Sequence, residues 1–140
     1  NPGPDVFTYE EALHTYFAIS DIGRISIDGL DGCAYTDKVT NTTHTQAGSV
    51  RFSGRTDRIY THAGEATIDD PGRGRRIHVG KEGSANTVVW NPGRDLAMTQ
   101  RDIGDYYAEF VCVEAANVGA SAITLDPGET HAIAQVVRLS

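Results

Sequence analysis

Turn-forming pairs recur along this chain at short intervals: Asp28-Gly29, Asp31-Gly32, Pro71-Gly72, Pro92-Gly93 and Pro127-Gly128. Between them lie runs of strand-forming character at Ala12–Ser20, Arg24–Asp28, Ser49–Phe52, Arg58–Thr61, Glu65–Asp69, Arg76–Val79, Thr87–Trp90, Tyr107–Glu114, Ala122–Leu125 and His131–Leu139. No segment keeps a helical period over enough turns, and only Pro92–Gly104 has room for a short helical turn. Gly and Pro fix where the chain reverses, and such short runs between reversals favour strands over helices. The pattern predicts an all-β fold, an antiparallel β-sandwich or barrel. Asp69-Asp70-Pro71-Gly72-Arg73-Gly74 reads as a hairpin loop, and Arg76-Ile77-His78-Val79 alternates as a half-buried strand does.

At 140 residues the chain fits one domain, without repeat or interdomain linker. Its 39% hydrophobic and 22% charged residues allow a packed core rather than disorder. A net charge of −7 excludes broad binding to nucleic acid or to an anionic membrane, each of which needs a basic face. A local anion pocket stays open, because Arg73, Arg75 and Arg76 cluster and Arg55 and Arg58 flank Asp57. No apolar run has the length of a membrane span. The first residues form neither a signal nor a transit pattern, so the expected location is the cytoplasm. They also lack an initiating Met, as in a processed or truncated chain. Cys33 and Cys112 lack metal-site spacing and sit in apolar surroundings, which predicts buried free thiols. The sequon Asn41-Thr42-Thr43 reads as chance without a secretion signal.

Phe110-Val111-Cys112-Val113-Glu114-Ala115-Ala116-Asn117 carries one carboxylate within apolar, strand-forming company. Burying an ionised Glu is costly unless it is paired or used, and shielding raises its pKa toward neutrality, where a general base works. Glu114 closing an apolar strand to cap a loop is the bland alternative. Ala12-Leu13-His14-Thr15-Tyr16-Phe17 sets an imidazole in similar surroundings. His14 is either a structural histidine held by hydrogen bonds or a general acid. Asp57 either pairs with its flanking arginines at the surface, orients a catalytic histidine, or accepts a hydroxyl proton from a ligand. Trp90 fills the core or presents a flat face to a sugar ring. His44, His62, His78 and His131 make no HxH or HExxH pattern, and no G-x-S-x-G element, P-loop or dinucleotide fingerprint occurs.

These segments, with Gly29-Leu30-Asp31-Gly32, Tyr35, Asp37-Lys38, Thr56-Asp57-Arg58-Ile59-Tyr60, Val88-Val89-Trp90-Asn91-Pro92 and Leu125-Asp126-Pro127-Gly128-Glu129, occur in the order that resembles the glucose-6-phosphate 1-epimerase group of the aldose 1-epimerase superfamily. The resemblance runs from about Phe7 onward. It implies a β-sandwich of the galactose-mutarotase type, part of a larger supersandwich, and interconversion of the α and β anomers of a hexose 6-phosphate. By motif, His14 matches the general acid, Glu114 the general base, and Asp57 a contact to substrate hydroxyls. Arg58 and Trp90 are further candidates for substrate binding. No metal or organic cofactor is required, and the expected partner is a small sugar or sugar phosphate.

The chain departs from the family in length, resembling only the C-terminal half, while the arginines gripping the 6-phosphate come mainly from the other half. Arg58 or the Arg73–Arg76 cluster could assist that contact. Gly93 stands where the family commonly has a bulky aromatic, which would loosen one pocket wall. Half a sandwich exposes sheet edges, predicting self-association. A non-catalytic carbohydrate-binding β-domain is the competing expectation.

Overall fold

The computed structural model describes all residues, Asn1–Ser140. Thirteen strands form three antiparallel sheets. The largest is built from β2 (Glu11–Leu13), β3 (Tyr16–Ala18), β5 (Ala34–Asp37), β6 (Thr42–Thr45), β7 (Thr56–Thr61), β10 (Asn86–Asn91) and β11 (Phe110–Asn117). Its order is β2-β11-β10-β7-β5-β6, with β3 also pairing β11. The second sheet runs β13-β9-β8-β4 and comprises β4 (Ser26–Asp28), β8 (Ala66–Asp70), β9 (Arg75–Glu82) and β13 (Ala134–Leu139). A small ribbon pairs β1 (Phe7–Tyr9) with β12 (Ile123–Leu125). One short helix, α1 (Gly93–Ala97), falls inside the stretch with room for a helical turn.

Strand alternation explains the core. β8 and β9 turn Ala66, Ile68, Ile77 and Val79 inward, and β7, β10 and β11 turn Tyr60, Val89, Val111 and Val113 inward. These meet Ile19, Ile25, Ile27, Leu30 and Val50 in one cluster. Asp57, Trp90, Cys112 and Glu114 alternate with those core residues and therefore occupy the other face of the large sheet.

The expected β8–β9 hairpin is present, with Pro71–Arg73 in a 3-10 turn and Gly74 at φ 59°. Inside it, fully buried Asp70 accepts from the Ser20 N–H and hydroxyl and from Arg75, while Arg73 lies 4.0 Å away. Arg76 pairs with Asp69. The arginine cluster thus fastens the hairpin to the chain after β3 and is engaged by its own carboxylates.

Several boundaries differ from the sequence expectation. Tyr107–Glu109 belong to a 3-10 segment that starts at Gly104 (φ 48°), so β11 begins only at Phe110. The side-chain amide of Asn91 donates to the carbonyls of Tyr107 and Phe110 and holds that transition. β11 then continues to Asn117 because Ala115, Ala116 and Asn117 pair with Leu13, Ala12 and Glu11. Glu114 therefore lies within its strand rather than closing it. Ser49–Phe52 contributes a single bridge, Val50 to Ile27. β1, β5 and β6 were not anticipated.

Gly93 also differs from expectation. Its φ is 65°, and a Cβ there would stand 2.5 Å from the Arg55 nitrogen and 2.9 Å from the Arg55 Cα. Backbone of Gly54 and Arg55 fills the space that a side chain would take, so the position has no room for a larger residue. Both cysteines are free, with Cys112 buried and Cys33 partly so. No helix is long and apolar enough to cross a membrane.

Candidate acid–base site

β11 is flanked on one side by β10 and on the other by β2 and then β3. Leu13 pairs with Ala115 and Tyr16 with Cys112, so the register continues across the unpaired residues His14 and Thr15. His14 consequently stands opposite Glu114. Its Nε2 lies 3.3 Å from Glu114 Oε1. The two differ in exposure: the His14 side chain is 47% exposed and that of Glu114 only 4%. A half-exposed imidazole thus faces a shielded carboxylate.

Burial, and then the negative charge of Asp57, raises the Glu114 pKa from 4.5 to about 7. A carboxyl group with that midpoint exchanges its proton readily near neutrality. Asp57 is brought to the same face by β7, whose register sets it beside Trp90, which in turn pairs with Cys112. Asp57 keeps a loose contact with Arg55 at 3.8 Å, leaving oxygen free for a ligand hydroxyl.

Trp90 closes the site with aromatic neighbours. The His14 ring stacks on Tyr16 at 5.0 Å and meets Trp90 edge-on at 5.6 Å. Phe110 packs against both Tyr16 and Trp90. Tyr16 and Phe110 were not singled out in the sequence. The available signal was alternation, since Tyr16 lies two residues from His14 on the same strand face.

Arg58 is not brought to this set. As the neighbour of Asp57 on a regular strand it points to the opposite face. There it lies 3.6 Å from Asp37 and 4.9 Å above the Tyr35 ring, structural contacts within the sandwich.

Donor atoms of His14, Cys112 and Glu114 lie within 4.8 Å of one another. Burial, and then the charge of Glu114, pushes the Cys112 thiol far up, so it stays protonated, whereas metals bind the thiolate. The donor set suits proton transfer better than metal ligation.

A shielded carboxylate of near-neutral midpoint faces an imidazole on an aromatic-lined face of an antiparallel sandwich, an arrangement suited to acid–base chemistry. The aldose 1-epimerase family profile matches residues 1–138, and the chain belongs to that family. A protein of Escherichia coli K12, named provisionally as a glucose-6-phosphate 1-epimerase, is 36% identical over 138 residues, covering 96% of this chain and 46% of its own length. A similarly named protein of Cenchrus ciliaris is 37% identical over 127 residues, covering 88% of this chain and 38% of its own. A crystal structure from Salmonella typhimurium, described provisionally as a mutarotase, superposes with a TM-score of 0.88 at 31% identity, over 96% of this chain and 46% of that one. The chain therefore spans less than half the length of these relatives.

Proposed function

We propose that this chain carries the catalytic acid and base of a hexose-6-phosphate mutarotase. Glu114 takes the proton from the anomeric O1 hydroxyl while His14 gives one to the ring oxygen O5. The C1–O5 bond opens to the aldehyde, rotation about C1–C2 presents its other face, and closure reverses the proton transfers. O1 and O5 share one carbon, so the groups serving them must lie close together. The 3.3 Å approach of His14 Nε2 to Glu114 Oε1 is the observation that carries this reading. Asp57 receives a sugar hydroxyl, and Trp90 lies beside the sugar's C–H face. Both proton transfers are made by this chain's own side chains.

Glucose 6-phosphate as substrate comes from the names of the E. coli and Cenchrus relatives. The test is anomerisation of freshly dissolved α-glucose 6-phosphate, followed by NMR beside α-glucose and α-galactose. Acceleration greatest for the phosphate ester supports the reading. A folded chain that binds sugar without accelerating any of them would be a carbohydrate-binding domain instead.

β13 pairs only with β9, and its Val136, Val137 and Leu139 are exposed. Self-association of the isolated chain through this edge belongs to the same reading and is checked by sedimentation at rising concentration.

A further inference from the structure

The interruption of the edge strand at His14 and Thr15 is filled from the other sheet. Register sets Thr15 opposite Val113, yet the Thr15 N–H turns back to the Leu13 carbonyl at 2.9 Å. The Val113 carbonyl instead accepts from Nε2 of Gln135 at 2.8 Å. The Thr15 hydroxyl donates to Oε1 of the same amide at 2.5 Å. Gln135 lies on β13, paired with Lys81 of β9, across the sandwich from His14. Both ends of its amide are used, one as donor and one as acceptor, so its orientation is fixed.

With the Thr15 N–H turned back to Leu13, the buried Val113 carbonyl would lack a donor. Gln135 supplies that donor and anchors Thr15, the residue next to the imidazole. We propose that Gln135 is a positioning residue for His14: by tying Thr15 to the Val113 carbonyl it holds the unpaired residues 14–15 in the register where Nε2 faces Glu114. This rests on the acid–base reading of that pair.

The experiment follows the His14 side-chain nitrogen resonances in the substrate-free chain, assigned by loss in His14→Ala, together with mutarotation kinetics. Gln135→Leu removes both hydrogen bonds, Thr15→Val removes only the hydroxyl, and Ile77→Val weakens the core without altering the bridging groups. Gln135→Leu and Thr15→Val are expected to move the His14 resonances and to lower kcat, by about tenfold or more for Gln135→Leu, with KM little changed. Ile77→Val is expected to leave the resonances in place. His14 resonances unmoved in folded Gln135→Leu or, should that variant not fold, in Thr15→Val would overturn the proposal. A wild-type chain without mutarotation would end the activity reading, while the resonances would still decide the bridge.

Discussion

Asp57 and Arg58 are neighbours in sequence and lie on opposite faces of β7. Asp57 shares its face with Trp90 and Glu114, and Arg58 stacks over Tyr35 beside Asp37. Asp57→Asn is therefore expected to raise KM for the sugar. Arg58→Met should leave KM unchanged and lower stability by about 1–3 kcal/mol, because Asp37 keeps its Val39 and Thr40 N–H donors but loses its cation. Steady-state kinetics and urea unfolding on both variants check this. An equal rise in KM for Arg58→Met would contradict the placement.

The base must be ionised to accept a proton. With Glu114 titrating at about 7, kcat/KM should climb as pH rises through that value. Burial is the main cause of the shift and the Asp57 charge the second. Removing that charge in Asp57→Asn should move the acidic limb to lower pH, even as the rate falls. A pH profile in which the limb stays put would show that Asp57 does not act on Glu114.

The same shift bears on stability. The Glu114 midpoint is raised on folding, so its protonated form is favoured in the folded chain. That contribution is complete below pH 4.5 and is lost as pH rises through about 7. Glu114→Gln, which cannot ionise, should unfold at higher urea than wild type at pH 8, by on the order of 2–3 kcal/mol, with little difference at pH 4. A variant less stable than wild type at pH 8 would mean that the carboxylate is well paired in the fold.

Gly93→Ala tests the close approach of the Gly54–Arg55 backbone. Its positive φ and the approach to Arg55 both oppose a side chain, so a loss of roughly 2 kcal/mol or more is expected in thermal or urea unfolding. Wild-type stability would mean that the Gly54–Arg55 segment yields without cost.

The proximity of the proposed acid and base was foreshadowed because both members break a local rule: a lone carboxylate and a lone imidazole stand in strand-forming company. The sandwich was legible from its turns. β5 and β6 were not, since Thr-Thr-His-Thr is an exposed edge strand and Ala-Tyr-Thr-Asp beside it offers only Tyr35 to the core, so neither carries apolar alternation. The end of β11 was misplaced because the pairing of Asn117 depends on Glu11, far back in the chain. Arg58 looked equivalent to Asp57 until register separated their faces. The bridge made by Gln135 joins residues 22 and 120 positions away and has no local signature.

The most direct measurement is NMR exchange between the anomers of glucose 6-phosphate, with wild type, Glu114→Gln and His14→Ala at equal concentration near pH 7.5. Wild type should accelerate exchange, and each variant should lose about 100-fold or more while staying folded. Glu114→Gln exchanging the anomers at the wild-type rate would contradict the assignment of Glu114 as the base.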